Sequence, residues 1–252
     1  MSSSRNSILN IFNEWLNFPE NIPLDMVSGR TILIHKGGDR NDVTNYRPIS
    51  CTNVIMKVFT SILKEKIHNR INKINESLKI SKNQLGCKLQ SLAAKEGLIN
   101  SYMLKQQKEE KYPKYVESYY DIKKAYDSVN HEWVIESLKY FNVEGVIIDI
   151  VESMMNRWKI FIGYKYNEYL GCIKLKRGIL QGDSLSPLLF IIQMNIISQI
   201  IEEKFPKSNN TLYMDDLRIM TQSSEEMGTI HNEIKQIISG IGMEMKINQE
   251  WY

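Results

Sequence analysis

Cysteine is scarce and scattered in this 252-residue chain: Cys51, Cys87 and Cys172 make up the whole complement, and no two form a C-x-x-C pair. That excludes a disulfide framework, argues against a zinc site, and suits a reducing compartment. Met1–Asn6 is polar and carries no apolar leader core, so the expectation is a protein that is not secreted. Long apolar runs are also missing. The longest apolar region, Leu188–Ile201, is interrupted by Gln193, Asn195, Ser198 and Gln199. It is too short and too polar to cross a bilayer. No internal repeat recurs, and no low-complexity linker divides the chain. The four histidines, His35, His68, His131 and His231, are spread out and do not join acids in a nuclease-like cluster. These absences leave a soluble, intracellular globular protein, and 42% hydrophobic residues can bury a core in one or two domains.

Charge is unevenly placed. The net value is +3, yet thirteen Lys/Arg face five Asp/Glu between Lys57 and Lys114. Ile62, Leu63, Ile67, Ile71 and Ile74 interleave with those lysines, so helices there would turn an apolar stripe inward and basic groups outward. Such a face is either merely solvated or a contact for phosphate backbone, and only the second makes binding salt-dependent.

Two adjacent carboxylates, Asp215-Asp216, sit within Thr211-Leu-Tyr-Met-Asp-Asp-Leu-Arg-Ile-Met220. Apolar residues alternate on either side of them, which predicts two strands with the acids at the bend. Neighbouring anions on a strand turn are costly to bury unless a cation neutralises them, and hard oxygen donors suit Mg²⁺ or Mn²⁺. A solvated polar turn is the plain alternative, because Asp favours turns. A second acid shifts the balance. Tyr115-Val-Glu-Ser-Tyr-Tyr-Asp121 reads as a β-branched and aromatic strand ending at Asp121. Asp121 is too far from Asp215 in sequence for a local loop chelate. Three carboxylates on neighbouring strands can instead hold a cation pair about 4 Å apart, as phosphoryl transfer uses. Asp127 lies beyond that strand and suits a cap or ion pair better.

The remaining pattern predicts a helix over Ser7–Phe18, a strand over Arg30–Ile34, mostly helix from Thr52 to Lys108, a helix after Asn130 and strands around Lys159–Lys176. Helices over Ser184–Lys204 and Ser224–Ser239 follow, on either side of the acidic hairpin. Lys36 and Arg47 flank the Gly37-Gly38 turn, where backbone can approach phosphate and Arg offers a fork of donors; Lys36 alone could equally be a surface lysine. Gly182 permits close backbone approach, and Ser184 or Asp183 can cap the next helix. Asp183 suits a cap better than a fourth metal ligand.

Four blocks in order carry a family resemblance. They are Ile34-His-Lys-Gly-Gly-Asp39 with Asn45-Tyr-Arg-Pro-Ile-Ser50, Asp121-Ile-Lys-Lys-Ala-Tyr-Asp127, Lys176-Arg-Gly-Ile-Leu-Gln-Gly-Asp-Ser-Leu-Ser-Pro187, and Tyr213-Met-Asp-Asp216. Together they resemble the reverse transcriptase domain of a non-LTR, target-primed retrotransposon. The resemblance implies an α+β right-hand polymerase of fingers and palm. Residues 1–115 would be an N-terminal extension with mostly helical fingers, and 116–252 the palm, with part of the fingers around 140–175. It implies Asp121, Asp215 and Asp216 as the metal-binding catalytic acids, with Mg²⁺ or Mn²⁺ as cofactor. Arg47, assisted by Lys36, would meet the incoming triphosphate, and Gln181-Gly182 would lie beneath the template base and nucleotide. Tyr126 would exclude a 2′-hydroxyl, although an isolated aromatic is more often core.

RNA template, DNA primer and dNTPs are the implied partners, in the nucleus. Gly240-Ile-Gly-Met-Glu-Met-Lys-Ile-Asn248 resembles the family's last palm motif, but no lysine follows Asn248. Lys246 replaces it only if the strand register differs. Nothing after Tyr252 would supply a thumb, so the expectation is a portion of a larger product or a decayed copy. The alternatives are a relic that binds nucleic acid without polymerising, and a palm-type nuclease or cyclase; Arg47 and Gln181-Gly182 argue against the latter. Group II intron and retron polymerases are near neighbours with different spacing.

Overall fold

The structure is a computed structural model and describes residues 2–73, 79–86, 97, 116–165 and 168–251. Ile74, Cys87 and most of the basic stretch after Lys82, including the helix expected up to Lys108, lie outside the described residues. Two compact units form. The first comprises Met1–Leu78 with Val134–Ser186, and the second Lys79–Trp133 with Pro187–Tyr252.

In the first unit α1 (Ser2–Asn17) and α2 (Val54–Asn72) meet through an aromatic cluster, with Phe12 tilted and Trp15 edge-on against Phe59 at ring separations of 5.1 and 5.3 Å. Asn53 starts α2 by accepting a hydrogen bond from the Ile55 amide at 2.9 Å, as a helix N-cap does. Leu63, Ile67 and Ile71 are fully buried as their helical spacing requires, but Ile62 is 40% exposed. A helix turns 100° per residue, so Ile62 and Leu63 cannot both face inward. Helices α3 (His131–Tyr140) and α4 (Gly145–Arg157) are separated by a break at Asn142. Asn142 takes φ 50° there, and the Val143 amide bonds back to Leu138 O at 3.1 Å. Asn tolerates this left-handed cap conformation.

A four-stranded sheet completes the unit, in the order β2 (Tyr46–Cys51), β1 (Ser28–His35), β4 (Lys159–Lys165), β5 (Glu168–Lys174). The β1–β4 pairing is parallel, so this sheet is mixed rather than purely antiparallel. Parallel neighbours need a long crossover, and the intervening chain supplies it. Arg157 ties α4 to the turn after α1, donating to the carbonyls of Pro19, Glu20 and Ile22.

The second unit holds an antiparallel sheet in the order β6 (Asn209–Tyr213), β7 (Asp216–Thr221), β3 (Val116–Ile122), β8 (Met245–Trp251). One face is the core side: Val116, Ser118, Tyr120 and Ile122 on β3 and Leu217, Ile219 and Thr221 on β7 are all buried. Helix α5 (Ser186–Lys204) carries apolar residues all round because it is buried on almost every side from Leu188 to Ile201. Its polar interruptions are used. Ser198 donates to Asn210 Oδ1 at 2.9 Å, and Asn195 accepts from the Ser81 amide at 2.7 Å. Helix α6 (Ser224–Gly240) packs on the sheet through Met227, Ile230, Ile234 and Ile238. Ser223 caps it by accepting from Glu226 N at 3.1 Å, which the Ser-x-x-Glu spacing foretells. Among the described residues no helix is long and apolar enough to cross a membrane.

Candidate active site

Two opposed central strands and the hairpin loop place the three expected acids at the same end of the second sheet. β6 and β7 form a hairpin whose last pair is Tyr213–Asp216, leaving Met214 and Asp215 as a two-residue loop. Met214 takes φ 59°, the left-handed turn that a loop this short requires. β3 runs antiparallel to β7 with Tyr120 opposite Leu217. Asp121 and Asp216 are the next residues of these two strands, at the same end of the sheet. Asp121 and Asp215 are half-buried and Asp216 is exposed. All three lie away from the core face, so their charge stays in reach of solvent or a cation. Among the described residues no three His, Cys, Asp or Glu side chains are gathered closely enough to hold an ion. Three ionised carboxylates repel one another unless a cation offsets the charge. An all-oxygen donor set is the chemistry a hard divalent cation takes, although the three carboxylates are not drawn together around one point in this structure.

The same open face carries Arg218, which pairs with Glu117 and lies 5.8 Å from the Tyr119 ring centre. Beyond Asp121 the chain turns through Lys124, at φ 49°, into a short 3₁₀ turn over Ala125–Ser128. Ala125 is buried, and Tyr126 stacks flat on Phe190, with ring centres 5.2 Å apart and planes 8° from parallel. On the other side of β3, β8 shifts register between Tyr119 and Tyr120 and sets Lys246 opposite Asp121. That irregularity places a lysine beside the acid from a position the motif spacing alone did not select.

The remaining candidates belong to the first unit and gather on strand β2. Arg47 pairs across from Ile34, and the Lys36 amide donates to Asn45 O at 2.8 Å. Lys36 and Arg47 are therefore diagonal neighbours on one face of the β1–β2 hairpin, and both are exposed. Three residues along the same strand, the Ser50 amide donates to Gln181 O at 2.7 Å. Gly182 then crosses so close that an added Cβ would lie 2.3 Å from Ser50 O, with φ +126°. Only glycine fits such a passage.

Asp183 is 7% exposed and acts as a local cap, accepting from the Leu185 amide at 2.9 Å. It also accepts from the Thr60 hydroxyl of α2 at 3.0 Å, a partner that sequence spacing could not reveal. Burial pushes the Asp183 carboxyl above the ordinary carboxylate range, while the bonds from Leu185, Thr60 and Ser184 and the charge of Lys57 oppose that shift. The loop with Gln181 and Gly182 is thus held from β2 on one side and α2 on the other.

Known proteins resemble this chain over most of its length. Residues 34–250 match the family described as reverse transcriptase (RNA-dependent DNA polymerase). The chain is 25% identical over 233 residues to the retrovirus-related Pol polyprotein from type-1 retrotransposable element R2 of Nasonia vitripennis, which is 88% of this chain and 22% of that protein. It is 21% identical over 238 residues to the polyprotein from type-2 element R2DM of Drosophila melanogaster, 91% of this chain and 21% of that protein. The chain therefore spans about a fifth of the length of these relatives. Among solved structures, apo telomerase from Candida tropicalis truncated from its C-terminal domain aligns with TM-score 0.62 at 15% identity, covering 96% of this chain and 56% of that one. Candida albicans telomerase, in complex with a TWJ fragment of telomeric RNA, aligns with TM-score 0.63 at 14% identity over 95% of this chain and 46% of that one. At these identities the structural likeness speaks for the fold alone.

Proposed function

Because the chain belongs to the reverse transcriptase family and is a domain of the non-LTR retrotransposon type, we propose that it copies RNA into DNA, with the second unit as palm and the first as fingers. One observation supports the site assignment: the β3–β7 ladder runs to Tyr120–Leu217, with Asp121 and Asp216 next in their strands and Asp215 in the adjoining loop. Family membership brings dependence on a divalent metal, and Asp121, Asp215 and Asp216 would hold it, Mg²⁺ being the natural ion for an all-oxygen set. When bound, that ion supplies acidification of a primer 3′-hydroxyl and neutralisation of the departing pyrophosphate. The chain's own groups position the reactants. Arg47 and Lys36 offer donors to a triphosphate, the Gln181-Gly182 backbone supports the nucleotide and template base, and Tyr126 bounds the sugar. Lys246, opposite Asp121 in the ladder, meets the leaving phosphate as a proton donor. Template RNA, primer DNA and dNTPs are the proposed partners, in the nucleus. A relic that binds nucleic acid without extending it is the second reading, and no observation favours it over the first.

The test is extension of a labelled DNA primer on RNA and DNA templates, with dNTPs and Mg²⁺. Extension is expected with the parent chain, and only background with Asp215→Ala, whose fold should survive since one carboxylate of a repelling set is gone. Extension by Asp215→Ala would overturn the acid assignment. Template binding without extension by the parent chain would favour the relic.

A further inference from the structure

The acid-bearing hairpin has a brace, and the sequence offered no motif for it. Residues 79–86 belong to the stretch expected to be helical, yet they form a turn and a single rung of sheet against β6. Leu85 N donates to Leu212 O at 2.7 Å, and Leu212 N donates to Asn83 O at 2.9 Å. This is a parallel bridge that centres on Gln84 and Leu212. The other end is anchored to α5: the Asn83 amide group donates to Glu202 at 2.9 Å, and the Ser81 amide donates to Asn195 at 2.7 Å. Backbone and side-chain bonds therefore hold this short segment on both flanks.

At its centre Gln84 is 1% exposed. Its Oε1 accepts from the Gly86 amide at 3.0 Å and from the Met214 amide at 3.3 Å. Met214 is the residue held at φ 59°, directly before Asp215. Non-glycine residues enter that conformation against a steric penalty, so something must hold them there. Gly86 packs into the same contact. A Cβ added there would stand 2.7 Å from Met214 Sδ and 3.1 Å from both Met214 N and Gln84 Oε1. Gly86 has no side chain because the Met214 turn occupies that space. One acceptor and one close packing contact thus converge on a single strained peptide.

We propose that Gln84 is a positioning residue that sets Asp215 by holding the Met214 peptide in its left-handed turn, with Gly86 making room for it. The proposal rests on the reading of Asp215 as a metal-binding acid. Gln84 touches no reactant and acts only through Met214. Residues that orient metal-binding groups from behind typically change metal affinity or activity by about 10–100-fold when altered.

The variants are Gln84→Met, which keeps the length but loses the acceptor, and Gly86→Ala, which crowds Met214 directly. Three readouts apply to the full chain: amide hydrogen exchange at Met214 and Asp215, Mn²⁺ affinity by electron paramagnetic resonance, and primer extension against metal concentration. Both variants should speed exchange at Met214 and Asp215 while the Leu217–Thr221 amides stay protected. Mn²⁺ affinity should fall about tenfold or more, with half-maximal extension moving to higher metal and little change in KM for dNTP. Gln84→Glu, which keeps an acceptor, should restore Met214 protection. Unchanged exchange at Met214 in a folded Gln84→Met protein overturns the proposal, and so does a uniform loss of protection across the sheet in both variants. If exchange changes as expected but the parent chain binds no Mn²⁺, the brace stands and the metal-site reading falls instead.

Discussion

Replacing Gly182 by alanine tests how tightly the Gln181 loop is clamped to strand β2. The added Cβ would lie 2.3 Å from the Ser50 carbonyl oxygen, a backbone atom, and the residue sits at φ +126°. Relief needs roughly 1 Å of movement before carbon and oxygen reach ordinary contact. The Ser50 amide is already committed to Gln181 O at 2.7 Å, so strand and loop cannot separate without losing that bond. Overpacking of this kind costs about 1–3 kcal/mol, and a forced backbone conformation about 1–3 kcal/mol more. A middle value of about 4 kcal/mol lowers the melting temperature by roughly 8–16 °C in a chain of this size. The assay is thermal unfolding by circular dichroism beside Gly228→Ala, where an added Cβ meets nothing within 4 Å inside a helix. That control should gain about 0.5–1 kcal/mol, since alanine suits a helix interior better than glycine. Should Gly182→Ala melt no lower than the parent chain while Gly228→Ala behaves as expected, the close-passage reasoning is wrong.

Thr60→Val removes the hydroxyl that donates to buried Asp183, and a bond to a charged acceptor is worth about 1.5–3 kcal/mol. The folded titration of Asp183 lies above its unfolded value because of burial, so the folded carboxyl is ionised only at higher pH, and there the lost donor matters most. The destabilisation should be near 2 kcal/mol at pH 8 and shrink as pH falls through the raised titration range; urea unfolding that gives a pH-independent difference would contradict it. Tyr126→Ala removes the ring stacked on Phe190 and should lower discrimination against ribonucleotides on the order of 10²-fold, measured as the ratio of kcat/KM for dNTP and rNTP. Unchanged sugar selectivity would remove Tyr126 from the nucleotide site.

Short-range chemistry was readable from the chain alone. The acids between two alternating runs became a hairpin because period-two patterning and a turn leave few other conformations. Ser223 with Glu226 marked the start of α6, since a cap acts within three residues of itself. Asp183 was legible as a cap for the same reason. Everything that depended on which distant segment lies alongside was decided only by tertiary packing. Nothing local in Arg30–Ile34 names β4 as a parallel neighbour, in Asp183 names Thr60, or in Asp121 names Lys246 across a register shift. The Gln84 brace was misread as helix because its single rung of sheet is set by β6 and α5, not by its own propensity. Side-chain patterning specifies an element and the face it buries. The choice of partner is a competition among all surfaces of the folded chain, and only the assembled structure settles it.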